Sequence, residues 1–146
     1  MNDKLLIIAA AAGIAVGIGV IALIIWRRRP KALKIDQFQD QWQELQKMLR
    51  DKTKWSDAIV NADKLLDVAL KKRHFKGSSM GERLVKAQRL FTDNDNLWFG
   101  HKLRNKIDAD PTVKLKEAEV KQALMGIRQG LKDIGALPNG QPGNKK

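Results

Sequence analysis

The chain has no cysteine and only two histidines, His74 and His101, in 146 residues. The first absence excludes a disulfide framework, thiolate metal ligands and a thiol nucleophile, and the second excludes a histidine-rich metal centre. No cofactor is implied. Acidic residues are scarce: 16 Asp+Glu stand against 28 Lys+Arg, a formal net charge of +12. Strand-type alternation is also missing, and no internal repeat is visible. What the chain does have is one very apolar block at its start, followed by a polar, basic remainder long enough for one domain of ordinary size.

The apolar block runs from Leu5 to Trp26, LLIIAAAAGIAVGIGVIALIIW, without a charge. As a helix it spans about 33 Å, the thickness of a bilayer's hydrocarbon core. A cleaved signal peptide is the competing reading, but its apolar stretch covers about 7–15 residues and ends at a small-residue cleavage site. Here the run ends in Trp26-Arg27-Arg28-Arg29-Pro30. Trp26 suits the interface, the arginines stop transfer, and Pro30 discourages further helix. Residues 5–26 therefore read as an uncleaved transmembrane helix. Its orientation follows from charge. Arg27, Arg28, Arg29, Lys31 and Lys34 follow the span, whereas Lys4 and the terminal amine precede it beside Asp3. The positive-inside rule predicts a single-pass protein of the cell (inner) membrane, with residues 1–4 outside and everything after the span in the cytoplasm.

Residues 27–34 form a basic juxtamembrane linker, which sets topology and offers membrane lipid about 1 kcal/mol per cation at an anionic surface. Ala9, Gly13 and Gly17 recur every fourth residue on one helix face, the pattern that lets a second membrane helix approach and so favours a homodimer.

The fold class expected is all-α, a four- to five-helix bundle over residues 35–137 behind the membrane helix, with a disordered tail over 138–146. Ile35, Phe38, Trp42, Leu45, Met48 and Leu49 form one apolar stripe. A second helix starts near Thr53 or Ser56, runs to Arg73, and buries Trp55, Ile59, Ala62, Leu65, Leu66, Ala69 and Leu70. Ser79 and Glu82 fit a capping box for a third helix reaching Phe91. The polar turn Thr92–Asn96 caps a fourth over Leu97–Ile107, which ends before Pro111. A fifth covers Lys114–Ile134, buries Leu115, Ala118, Leu124, Ile127 and Leu131, and is closed by Gly135. Phe38, Trp42, Trp55 and Phe99 lie on apolar stripes, as core residues rather than a base-stacking platform.

The densest stretch for chemistry is Leu97–Asp108. Phe99, Leu103 and Ile107 share its core side, while Leu97, His101, Arg104 and Asp108 share a neighbouring stripe. Arg104 at the edge of that face calls for a carboxylate, Asp63 or Asp67. Lys102 and Lys106 stand one helical step apart toward solvent, where they and Arg104 can meet phosphates. Asp93, Asp95, Asp108 and Asp110 bracket the helix at two ends about 15 Å apart, which suits capping better than one cation site. Gly77–Gly81 resembles a phosphate loop but lacks the Lys-Ser/Thr of a P-loop.

With ADKLLD at Ala62–Asp67 and WFGHKLRNKI at Trp98–Ile107, residues 55–131 resemble small helical HEPN-type domains. In that superfamily a late helix carries an Arg-Asn pair followed by a histidine. The resemblance implies a helical bundle, often dimeric, whose Arg and His cleave RNA, or which binds nucleic acid or a partner when degenerate. Arg104-Asn105 matches the pair, but the position five residues after Arg104 is Ala109, so the resemblance implies a non-catalytic domain. The leading expectation is a membrane-anchored binding domain for a protein or RNA, through His101, Lys102, Arg104, Asn105 and Lys106. The alternatives are a tethered HEPN-like endonuclease or toxin-like protein, and a structural subunit of a membrane assembly.

Overall fold

The computed structural model describes residues 2–27 and 32–140. Among them there is no strand; six α-helices and two short 3-10 turns account for the regular structure. The chain divides into two compact units at Lys31. The first is α1 (Asn2–Arg27), an unbroken helix with no buried residue. It is long and apolar enough to cross a membrane. Residues 2–4, expected to lie before the span, belong to this helix. Ala9, Gly13 and Gly17 are exposed along α1, and the surroundings of the two glycines are open. Arg28, Arg29, Pro30, Lys31 and tail residues 141–146 lie outside the described residues. Arg27 closes α1, and Lys34 is an exposed residue just before the next helix.

In the second unit α2 (Ile35–Met48) buries Phe38, Trp42 and Leu45, whereas Ile35, expected on the same stripe, is 41% exposed in the first turn. A 3-10 turn over Lys52–Lys54 leads into α3 (Trp55–Lys72). The cap at this entry is Asp51 rather than Thr53 or Ser56: its carboxylate accepts from the Thr53 backbone N–H at 2.9 Å. Trp55 is half-buried, and its indole N–H donates to the Leu49 carbonyl at 3.1 Å. An apolar face from Ala58 to Leu70 then runs through the centre of the unit. At its end Phe75 N–H returns to the Leu70 carbonyl and His74 N–H to Lys71, the double bond of a Schellman motif. His74 holds the left-handed position at φ 63°, where glycine is usual. The same pair of bonds closes α6 through Gly135 at φ 79°, the glycine expected there.

α4 (Met80–Ala87) gives way to a 3-10 turn over Gln88–Leu90. Ser79 caps it as expected, accepting from Glu82 N–H at 3.2 Å. Glu82, however, reaches back to the backbone and hydroxyl of Ser78, at 2.7 and 2.8 Å, instead of closing a box with Ser79. α5 (Asn94–Ala109) starts three residues earlier than its apolar pattern, because Asp93 bonds the N–H of Asn96. α6 (Glu117–Asp133) starts three residues later than expected, leaving Ala118 exposed and Leu115 half-buried in place of Val120 and Ala123.

α5 and α6 lie antiparallel: Thr92 bonds Asp133, and Gln122 bonds Asn96. The two backbones nearly touch. A Cβ on Gly126 would overlap the Asn96 carbonyl, and one on Gly100 would sit 2.9 Å from the Ala123 carbonyl oxygen. Gly130 makes room for the Leu97 side chain, which also neighbours Leu66 of α3. Ile59, Leu66, Leu70, Leu84, Leu97, Ile127, Leu131 and Ile134 are fully buried, each stabilising the unit by about 1.5–3 kcal/mol.

Gly126→Ala is expected to lower the urea-unfolding free energy by about 1–3 kcal/mol, because backbone on the other helix must retreat. Gly81→Ala, whose new methyl would meet only atoms at 3.7 and 3.8 Å, is expected to leave the midpoint within about 0.5 kcal/mol of the parent.

Candidate functional site

Two carboxylates interrupt the apolar face of α3 one turn apart, and each faces a base from another helix. Asp63, 2% exposed, accepts from His101 Nδ1 of α5 at 3.0 Å, and Arg104 Nε stands 3.8 Å from its Oδ2 as an ion-pair neighbour. Asp67 receives Arg83 Nε of α4 at 2.6 Å and Lys71 of its own helix at 2.7 Å. The same guanidinium donates to the Gly77 carbonyl at 2.5 Å, so Arg83 pins the α3–α4 loop as well. Burial of ions this deep is tolerable only because each is matched and hydrogen-bonded.

The α5 side closes into a ring. His101 Nε2 stands 3.4 Å from Asn105 Nδ2, Asn105 Oδ1 accepts from Arg104 Nη1 at 3.1 Å, and Arg104 returns to Asp63. A second arm of the guanidinium reaches Asp108 at 2.9 Å. The pattern is satisfied by the imidazole tautomer with hydrogen on Nδ1, donating to Asp63, and with Nε2 accepting from Asn105. A carboxylate orienting an imidazole in this way is the arrangement general bases use. Here, though, the ring is only 7% exposed, Trp98 stands edge-on at 5.8 Å, and Nε2 faces Asn105 and the backbone of Gly81.

Burial pushes the Asp63 carboxyl above its ordinary range, against the pull of His101 and Arg104. Burial works on Asp67 in the same sense, but the hydrogen bonds from Arg83 and Lys71 outweigh it and hold that carboxyl below its ordinary range. The two acids thus depart in opposite directions although they share a helix face, because Asp67 keeps two strong cationic donors at its edge.

The five candidate residues of α5 divide by face. His101 and Arg104 turn inward to Asp63, the first of the two expected partners, while Asp67 belongs to Arg83. Lys102, Asn105 and Lys106 are exposed, and neither lysine forms an ion pair among the described residues. A second run of cations in the sequence, Lys71-Lys72-Arg73, is not brought to them. Asp63 faces His101 while Leu66 neighbours Leu97, so α3 and α5 run antiparallel, and Lys71-Lys72-Arg73 sit at the far end from Lys106. There Lys72 lies over the Phe38 ring at 5.6 Å. Of the bracketing acids, Asp93 caps α5 and Asp110 binds Thr112, as expected of caps, whereas Asp108 is an ion-pair partner. Phe99 is half-buried; Leu97, assigned to the edge stripe, is deeply buried against Gly130. The signal for Arg83 was present in the sequence as two acids four residues apart on an otherwise apolar face, which require two bases.

Compared with known protein families, curated proteins and solved structures, the chain finds no match.

The opposite departures of the two acids set opposite pH dependences. For Asp63 the folded protein binds its proton more tightly than the unfolded chain, so its stabilisation is present below its ordinary value of 3.8 and is lost as pH rises through the raised one. For Asp67 the stabilisation is present above 3.8 and is lost as pH falls through the lowered value. Urea unfolding across the acid range is expected to show the advantage of the parent over Asp63→Asn shrinking with rising pH, and its advantage over Asp67→Asn growing.

Proposed function

We propose that the chain is a single-pass membrane protein whose cytoplasmic helical bundle holds an anionic partner, nucleic acid or acidic protein, at the bilayer without chemistry of its own. One observation carries the reading: on α5 the histidine is buried and the arginine is held by carboxylates, whereas the lysines suited to docking are exposed and unpaired among the described residues. Metal-independent RNA cleavage needs an imidazole within reach of a hydroxyl proton and a cation at the phosphate. His101 is bonded to Asp63 and Asn105, and Arg104 is paired with Asp108 at 2.9 Å and, more loosely, with Asp63 at 3.8 Å. Lys102 and Lys106, one turn apart and unpaired among the described residues, present two cations outward.

The anchor reading is supported by the unbroken apolar α1, and the orientation by the cations that follow it. Arg104-Asn105 matches the HEPN-type pair, and Ala109 in the last turn of α5 stands where those domains carry histidine, as in a degenerate relative of that superfamily. Pairing of two α1 helices along Ala9, Gly13 and Gly17 would present two docking faces at one place on the membrane.

Full-length protein in phosphatidylcholine nanodiscs, titrated with a single-stranded RNA at several salt concentrations, tests the docking face. If RNA is the partner, Lys102→Glu with Lys106→Glu weakens binding and flattens the salt slope by about 1–2, at about 0.7 for each phosphate no longer neutralised. Salt-steep binding that survives both substitutions overturns the role of α5, and RNA cleavage abolished by Arg104→Ala overturns the non-catalytic reading. Protease added to intact spheroplasts is expected to leave a carboxy-terminal tag uncut; cutting there reverses the orientation.

A further inference from the structure

A groove of about 310 Å³, lined by no residue of α5, opens where α2, α3 and α6 meet. Its walls are apolar, with Leu49, Trp55, Val120, Leu124 and the 67% exposed Met125. Trp42 and Arg128 also border it, and both border a second, smaller hollow of about 70 Å³. That hollow differs in chemistry: Gln39, Gln43 and Lys132 contribute polar and cationic groups. A large greasy recess thus adjoins a small basic one, with the same indole and guanidinium at the junction.

Those two junction residues are also incomplete. Trp42 is 6% exposed and its Nε1–H has no acceptor; Arg128 Nε–H is buried and has none either. Both nitrogens are closed off from solvent, so the junction meets a ligand through the outer guanidinium nitrogens of Arg128. The charges agree. Lys121, Arg128 and Lys132 surround the hollows, while the one acid, Glu117, is held at 2.6 Å by Lys121.

We propose that this groove is a binding site for a single-chain amphiphilic anion, an alkyl carboxylate of the fatty-acid class. Its chain lies along Trp55 and Leu124, and its carboxylate meets the Arg128 and Lys132 cations that border the smaller hollow. The volume, at the low end of the range of about 300–1,000 Å³ for small-molecule sites, suits one alkyl chain rather than the two of a bilayer lipid. A carboxylate is bound by a guanidinium through charge-assisted, often bidentate bonds. The site shares no residue with the α5 face and stands or falls independently of it.

The full chain, ¹³C-methyl-labelled at methionine in phosphatidylcholine nanodiscs, is titrated with sodium decanoate and, separately, with decyltrimethylammonium, a cation of equal chain length. Decanoate is expected to shift the Met125 methyl saturably and leave Met80, on α4, in place; the cation is not. Arg128→Gln is expected to weaken decanoate about tenfold. Met125→Asp, at an exposed position that the fold does not need, is expected to abolish the saturable change in tryptophan fluorescence. No Met125 shift, an equal response to both amphiphiles, or a fluorescence change unaltered in Met125→Asp overturns the proposal. So does a Met125 shift produced by phosphatidylglycerol nanodiscs alone, which makes bilayer lipid the occupant.

Discussion

Gly126 allows the backbone of α6 to lie directly against that of α5 at Asn96, and Gly100 does the same for α5 against the carbonyl of Ala123. Helices that meet through side chains can rotate by a few tens of degrees and repack; helices that meet through backbone cannot. With Gly100 turned to α6, the 100° step of the helix carries His101 toward α3, and Lys102 a further step away into solvent. Leu97, one turn earlier, falls into the space that Gly130 leaves beside Leu66. The division of α5 into an inward polar arc and an outward basic arc is thus a consequence of two absent side chains.

The inward arc then has a problem to solve. A histidine delivered to a helical core and an arginine at its edge need acceptors, and α3 supplies Asp63 from the middle of its apolar face. The ring through Asn105 satisfies the remaining imidazole nitrogen, and Asp108 takes the free arm of Arg104. One turn along, Asp67 and Arg83 repeat the solution with α4. Since α4 has only two turns and little apolar surface of its own, the Arg83 bonds to Asp67 and to the Gly77 carbonyl are a large share of what locates it. The polar seam therefore specifies which helices neighbour α3, as well as tolerating charge there.

Much of this was legible in the chain. Helix identities, the Gly135 closure, the Ser79 cap and the need of Arg104 for one of two carboxylates, Asp63 or Asp67, all follow from spacing and residue chemistry. Three kinds of feature were not. The early start of α5 depends on a single hydrogen bond from Asp93, which apolar periodicity does not register. The left-handed His74 occupies a place where glycine is the usual signal, so nothing in the sequence marked it. The two hollows beside Trp42 arise from side chains on three helices, far apart in sequence, that fail to fill the space between them.

α1 and the rest of the chain mark the two extremes. An uncharged apolar run of that length needs no partner to be a helix, because its backbone bonds are internal and its preference for lipid is a sum over its own residues; composition alone determined it. Net charge and helix content in the remainder are sums of the same kind. Which lysines are free, which arginine is neutralised and where a groove opens depend on differences between surfaces that meet only after folding. Those were decided by the close approach of α5 to α6 and by the pairing of buried charges across helices.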